Sequence, residues 1–410
     1  MQYGLIGEKL GHSFSKEVHA LIGDYDYQLK EVQPKDLKTF ILSKGFKGLN
    51  VTIPYKQSVI ELLDFVDENA LLIGAVNTVV NRDGKLFGYN TDCLGVKSLI
   101  DKVGLNLQGK KVAILGTGGT SKTVFSVVSN LGAKEILKVS RSKSDTCINY
   151  EELYLKHFDA DVIINTTPVG MYPNVNDKLL DLTRFDKLEG VVDAIYNPLR
   201  TQLVLSAKEL GIKADGGLYM LVAQAVYAYG YFFNKEIDSS IIDDIYLKVL
   251  RQKQNVVLVG MPSCGKSTIG KIISQNLGLE FIDTDEIIEA EKNQKIYNIF
   301  ANLGEAEFRK IEIEVVSKVS LKVGKVISTG GGVILNSENV KKLKQNGKIF
   351  FIDRDLEKLV ATNDRPLSND TDKLKNLYLD RYPKYLKCAD VKIENDSLID
   401  QAVDKIIKEL

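Results

Sequence analysis

The apolar run Val256 to Val259 leads directly into Gly260-Met261-Pro262-Ser263-Cys264-Gly265-Lys266-Ser267-Thr268. A glycine, four residues and then Gly-Lys-Ser build a loop at the start of a helix, where backbone N–H groups converge and the helix dipole favours negative charge. In that frame Lys266 reaches the β- and γ-phosphates and Ser267 offers its hydroxyl to Mg²⁺, while the backbone between Pro262 and Ser267 forms the anion nest. Gly260, Ser263, Cys264, Gly265 and Thr268 complete the loop, and the pattern predicts a nucleoside triphosphate with Mg²⁺. A second glycine-rich turn, Gly116-Thr117-Gly118-Gly119-Thr120-Ser121-Lys122, follows the apolar run Val112 to Leu115. Glycines there allow a tight turn and close approach of backbone to a pyrophosphate, although Ser121 stands where the third glycine usually falls. The next apolar run ends at Ser140-Arg141-Ser142-Lys143, where an NAD enzyme usually places an acid for the ribose 2′-hydroxyl. A cation stands there instead. The guanidinium fork of Arg141 suits a 2′-phosphate and Lys143 adds charge, which predicts NADP(H).

Both turns need strands to launch them and helices to receive them. Strand-length apolar runs alternate with helical patterns through the chain: 111–115, 135–139, 162–165, 191–194, 256–259, 326–328 and 348–352. Such alternation predicts α/β architecture, with parallel sheets covered by helices and ligands beyond the carboxyl ends of the strands. At 410 residues the chain exceeds one ordinary core. A first segment, 1–92, carries its own strands and is expected to be completed by the helical stretches at 217–250. A dinucleotide domain is expected at 93–216 and a triphosphate domain at 255–410, joined by the short polar junction 251–254. Lys plus Arg balances Asp plus Glu at 54 each, so no global field holds nucleic acid or an anionic membrane, and anions must meet local clusters. With no leader pattern and no long uninterrupted apolar stretch, a soluble cytoplasmic protein is expected. Cys93, Cys147, Cys264 and Cys388 lie far apart without zinc-ligand spacing, and read as free thiols.

Several further motifs fall in order. Gly11-His12-Ser13-Phe14-Ser15, Asn50-Val51-Thr52-Ile53-Pro54-Tyr55-Lys56, Gly74-Ala75-Val76-Asn77-Thr78 and Gly88-Tyr89-Asn90-Thr91-Asp92 precede the dinucleotide turn. Asn165 to Met171 and Gly216 to Gln224 follow it. A polyhydroxylated ring acid needs hydroxyls and amides for its OH groups and carboxylate, and Ser13, Ser15, Asn50, Thr52, Asn77 and Gln224 supply them. In order and spacing these motifs resemble those of shikimate dehydrogenases, over residues 1 to about 250. The resemblance implies a substrate domain beside a Rossmann NADP-binding domain. It implies that Ser13 and Ser15 grip the substrate carboxylate, that Tyr196 joins the substrate contacts, and that Gly116, Gly118, Gly119, Ser140, Arg141, Met171 and Gly217 contact the cofactor. Lys56 and Asp92 would bracket the reacting carbon, a pair able to move the proton that accompanies hydride transfer. Lys16, where proline is usual, and Ser140-Arg141-Ser142, in place of Asn-Arg-Thr, depart from the pattern but keep the chemical groups.

Beyond the Gly-Lys-Ser loop, Phe281-Ile282-Asp283-Thr284-Asp285 ends an apolar stretch with acids at alternate positions, which on a strand would share one face. Phe300 to Glu312, Thr329-Gly330-Gly331-Gly332-Val333, Arg365-Pro366 and Arg381-Tyr382-Pro383-Lys384-Tyr385 come next. This half resembles shikimate kinase. The resemblance implies that Asp283 lies near the Mg²⁺ beside Ser267 and that Asp285 binds the acceptor hydroxyls and acts as base. Arg309 and Arg381 would clamp the shikimate carboxylate beside Gly330, Gly331 and Gly332, and Arg365 would come from a lid toward the phosphates. By spacing alone, Arg309 with Glu305 four residues earlier reads as a helix ion pair.

Together these readings predict a bifunctional enzyme of aromatic biosynthesis that reduces 3-dehydroshikimate with NADPH and then phosphorylates shikimate with MgATP. The expected partners are those small molecules, with no nucleic acid and no membrane, and a homo-oligomer is compatible with the sequence. A dehydrogenase preferring quinate or NAD, or a ligand sensor without turnover, is the alternative. The intact set Lys56, Asp92, Lys266, Ser267, Asp285 and Arg309 argues for turnover.

Overall fold

Alternate residues of a buried strand point to opposite faces, so a strand covered on both sides must be apolar throughout. The computed structural model, which describes residues 1–11, 13–359 and 371–410, shows this in the strand Lys111–Leu115: Val112 and Ile114 enter one core while Ala113 and Leu115 enter the opposite one. The chain divides into two compact units, Met1–Leu250 and Arg251–Leu410.

The first unit holds two sheets. The first contains β1 (Tyr3–Gly7), β2 (Tyr27–Glu31), β3 (Gly48–Val51), β4 (Phe65–Val66), β5 (Thr78–Arg82) and β6 (Lys85–Tyr89), in the order β2-β1-β3-β5-β6-β4. It is mixed: β5 runs antiparallel to β3 and β6. The second contains β7 (Lys111–Leu115), β8 (Glu135–Ser140), β9 (Ile148–Asn149), β10 (Val162–Asn165), β11 (Gly190–Asp193) and β12 (Lys213–Asp215), all parallel, in the order β12-β11-β10-β7-β8-β9. The order reverses beside β7, so the crevice for a ligand opens where Gly116 follows that strand. The helix Leu218–Phe233 packs on the first sheet: Phe232 lies 5.5 Å from Tyr3, and a Cβ on Gly48 would lie 2.4 Å from its ring.

The second unit has one parallel sheet of β13 (Asn255–Val259), β14 (Glu280–Asp283), β15 (Lys325–Ser328), β16 (Gly347–Asp353) and β17 (Val391–Glu394), ordered β14-β15-β13-β16-β17. Central β13 lies between β15 and β16, where the strand order reverses, which again opens a crevice at its carboxyl end. The junction 251–254 differs from its reading as a linker. The helix Ser240–Lys253 runs through it and β13 begins at Asn255, because nothing in Arg251-Gln252-Lys253 breaks a helix. All four cysteines are free, and among the described residues no helix is long and apolar enough to cross a membrane.

One buried acid holds the carboxyl edge of the second sheet. Asp193, at the end of β11, accepts hydrogen bonds from Thr201 Oγ1 (2.6 Å), Ile195 N (3.0 Å) and Asn165 Nδ2 (3.0 Å). Burial outweighs these donors and pushes its carboxyl up to about 6. A folded-state value raised above 3.8 means stability that is present in acid and lost as pH rises through about 6. Asp193→Asn keeps the shape without the titration, so the variant should gain on the wild type between pH 4 and 8, by up to about 3 kcal/mol. Thermal unfolding of both proteins across that range measures the gain, and parallel curves would refute it.

Candidate functional sites

In the first unit Lys56 follows the β3 end and Asp92 opens the helix Asp92–Val103. Their side chains meet at 2.6 Å, both largely withdrawn from water. A carboxylate so placed needs more than one partner. Asn77 Nδ2 supplies the second at 2.9 Å from Asp92 Oδ1, and also lies 3.1 Å from Thr91 Oγ1 and 3.5 Å from Gln224 Oε1. Asn77 is oriented in turn by Thr91 N, which donates to its Oδ1 at 2.7 Å. Asn90 Oδ1 accepts from Cys93 N at the start of this helix, so Asp92 is not spent as a cap and faces Lys56. Lys56, Asn77, Asp92 and Gln224 therefore form one constellation.

Asn50 is placed beneath it. Tyr27 OH donates to its Oδ1 (2.8 Å), and its Nδ2 donates to Asn77 O (3.3 Å) and Thr78 Oγ1 (3.2 Å), so the amide is turned into the protein. His19 stacks flat on Tyr27 at 3.7 Å, and burial pushes its imidazole down to about 3, leaving it neutral. Ser13, Ser15 and Tyr196 make a second group. Ser13 Oγ donates to Ser15 Oγ at 3.1 Å and also lies against the Tyr196 hydroxyl, and the Tyr196 ring packs 5.3 Å from Phe14. Thr52, half-buried, closes the turn after β3, its carbonyl accepting from Tyr55 N.

The dinucleotide turn has the space its glycines imply. Gly116 adopts φ +109°, and a Cβ there would meet Thr166 Oγ1 at 2.7 Å; around Gly118 and Gly119 no atom would lie within 4 Å. Ser121, in place of the third glycine, donates its hydroxyl to Gly116 O at 2.7 Å and so closes the turn by a hydrogen bond. Arg141 is exposed beside Tyr150, Ser140 donates to Ser142 O, and Lys143 is paired with Glu152 at 2.7 Å. Met171 is exposed. Gly217 is a packing requirement, since a Cβ would lie 2.2 Å from Ala194 O. The open glycines and free-standing arginine fit an NADP pyrophosphate and 2′-phosphate.

In the second unit, Gly260 (φ +151°), Ser263 (φ +64°) and Gly265 (φ +98°) bend the loop between β13 and the helix Lys266–Leu277. Lys266 Nζ donates to Gly260 O (3.0 Å) and Met261 O (2.9 Å), 3.8 Å from Cys264 Sγ. Ser267 Oγ donates to Asp283 Oδ2 at 2.7 Å, and Thr268 is exposed one residue on. This hydroxyl and carboxylate, side by side where the triphosphate pattern expects Mg²⁺, fit a hard cation with oxygen ligands.

The expectation that Asp283 and Asp285 share a strand face is corrected. β14 ends at Asp283, which caps the helix Thr284–Lys292 by accepting from Asp285 N at 3.0 Å, because Asp favours that cap over continued extension. Asp285 is thereby turned toward the glycine run: a Cβ on Gly330 would lie 2.6 Å from its Oδ1 and 3.2 Å from Glu312 Oε1. Arg309 lies on the helix Ile296–Ser320, which is kinked at Gly304. Its Nη1 donates to both oxygens of Glu312 (3.1 and 3.0 Å), while Nε and Nη2 donate to Glu305 (3.2 and 2.9 Å). Glu312 is buried, which raises its carboxyl above the usual range while Arg309 and then Arg381 oppose the rise. Gly331 O accepts from Tyr385 OH at 2.6 Å, and Arg381 is buried close to Tyr385. The structure thus gathers Asp285, Arg309, Arg381 and Gly330 to Gly332. Arg365 and His12 lie outside the described residues.

Thr91, Tyr27 and Glu312 escaped the sequence reading. Glu312 alone carried a legible sign, an acid three residues after Arg309 and so on the same helix face.

A glycine-turn dinucleotide fold followed by a phosphate-loop kinase fold defines a two-domain nucleotide-dependent enzyme class. Residues 5–79 match the family described as "Shikimate dehydrogenase substrate binding domain", and 262–410 match "Shikimate kinase". A shikimate dehydrogenase (NADP(+)) of Clostridium perfringens is 37% identical over 262 residues, covering 60% of this chain and 96% of that protein. Among solved structures, shikimate dehydrogenase 1 of Peptoclostridium difficile is 38% identical with TM-score 0.56, covering 61% of this chain and 98% of its own. A chorismate mutase/shikimate 5-dehydrogenase fusion of Clostridium acetobutylicum is 38% identical with TM-score 0.57, covering 60% and 96%. The chain belongs to the shikimate dehydrogenase family and carries a shikimate kinase domain behind it.

A Cβ on Gly332 would fall 2.2–2.5 Å from the Arg309 guanidinium. That group is bonded to buried Glu312, so Gly332→Ala should displace it at a cost of about 1–3 kcal/mol in stability. A clamp losing one charge-assisted bond should then raise the KM of the acid acceptor about ten-fold or more. Steady-state kinetics with thermal unfolding checks this, and an unchanged KM would remove Arg309 from substrate binding.

Proposed function

We propose that the chain performs two consecutive reactions: reduction of 3-dehydroshikimate to shikimate in the first unit, and transfer of a phosphoryl group to the 3-hydroxyl of shikimate in the second. The observation that carries the first is the Lys56–Asp92 contact of 2.6 Å, set among the amides of Asn77 and Gln224. NADPH, when bound, supplies the hydride, and MgATP the phosphoryl group. Lys56 gives a proton to the oxygen of the former ketone, and Asp92 holds the ammonium in place and favours its recharging. Asn77 fixes the aspartate and orients a ring hydroxyl. Ser13, Ser15 and Tyr196 form a hydroxyl group suited to the ring carboxylate.

In the second unit Arg309 and Arg381 take that same carboxylate, which requires Arg309 to give up its contact with exposed Glu305. Asp285 accepts the proton of the attacking hydroxyl. Lys266 exchanges its two loop carbonyls for phosphate oxygens, and Ser267 with Asp283 would hold Mg²⁺. Phosphoryl transfer asks little covalent chemistry of the protein, so placement and charge supply the rate. Support for the first activity comes from relatives named for it. Support for the second is the family match together with this cluster.

Purified protein given 3-dehydroshikimate, NADPH and MgATP in one vessel should yield shikimate 3-phosphate by mass spectrometry. Lys266→Ala should stop at shikimate. Lys56→Ala should lose about 10²–10⁴-fold in reduction, the usual share of an acid–base group, while still phosphorylating added shikimate. Untouched 3-dehydroshikimate with the wild type would overturn the dehydrogenase reading, and accumulation of shikimate with MgATP present would overturn the kinase reading.

A further inference from the structure

The phosphate loop is held from behind by a residue outside its motif. Asn395, just after β17, is 4% exposed and donates from Nδ2 to Cys264 O at 2.8 Å. A carbonyl only accepts, so this contact fixes which end of the amide is nitrogen. Its Oδ1 is buried with no hydrogen-bond partner among the described residues. The backbone of Asn395 is itself anchored, its N–H donating to Asp353 O at 2.8 Å at the end of β16, and Asp396 beside it accepts from Asp355 N at 2.8 Å.

The peptide joining Cys264 to Gly265 is planar and trans, so its carbonyl and its N–H point opposite ways. Holding the carbonyl on Asn395 therefore directs the Gly265 N–H away from Asn395. Among the described residues that N–H donates to no backbone carbonyl. Gly265 adopts φ +98°, and a glycine peptide rotates more freely than any other. A Cβ at this position would lie 2.8 Å from Asn395 Nδ2, so the asparagine sits directly against the turn.

We propose that Asn395 is a positioning residue of the phosphate loop: it locks the Cys264–Gly265 peptide so that the Gly265 N–H is presented to the nucleotide phosphates. The proposal rests on the kinase reading above. It differs from base recognition, which the unpartnered Oδ1 could otherwise suggest, because the bond that is made runs to the loop backbone.

Asn395→Leu keeps the approximate shape and removes the donor without adding a charge, and Asn395→Ala removes the side chain. In the full-length protein each should bind MgADP and inorganic tripolyphosphate roughly ten-fold more weakly by calorimetry, the loss expected for one misdirected phosphate contact. KM for MgATP should rise likewise, while KM for shikimate and the ratio of ATP to ITP use stay as in the wild type. Unchanged tripolyphosphate affinity, a loss seen with ATP but not ITP, or an equal rise in both KM values would overturn the proposal. A wild type that binds neither ADP nor tripolyphosphate would instead remove the kinase reading on which it rests.

Discussion

A carboxylate withdrawn from water must be matched by donors or cations, and three of the clusters in the candidate sites are arranged about one that is. Asp92 is held by Lys56 and Asn77, Asp283 by Ser267 and the Asp285 amide, and Glu312 by Arg309. In each case at least one partner that satisfies the acid is a side chain to which the proposed reactions assign a role. Removing the acid would set its partner loose as well as lose a charge. Asp283 stands at the carboxyl end of β14, whereas Asp92 opens a helix and Glu312 lies within one, so strand ends and helices both carry these acids to their clusters.

The glycines obey the same economy of space. Gly330 and Gly332 lie where a methyl group would strike Asp285 and Arg309, so the run after β15 is a wall against which both side chains rest. Gly118 and Gly119 face nothing. One set of glycines makes room for protein groups, the other borders open space, and the sequence letters do not distinguish them.

What could be read from the sequence was whatever depends on neighbours along the chain. The strands at 111–115, 162–165 and 256–259 are continuous apolar runs because both faces are buried, and the Gly-Lys-Ser loop is a local shape. Asp285 was misplaced because a capping preference at Asp283 ended the strand sooner than alternation suggested. The inward turn of Asn50 depends on Tyr27, 23 residues earlier, and the grip of Asn395 on the phosphate loop spans 131 residues. No pattern of spacing announces such contacts, since they exist only once distant strands lie side by side.

The helix Leu218–Phe233 places Gln224 beside Asn77 and Phe232 against β1 and β3, although the whole of the second sheet lies between these partners in the chain. On the ribosome, then, the first sheet emerges with part of its core missing and must wait for well over a hundred further residues. The second sheet, continuous in sequence, completes its own core meanwhile. Completion of the first sheet therefore trails its synthesis, and the Lys56–Asp92 constellation gains Gln224 only after the second sheet has been made, while the whole second unit is still to come.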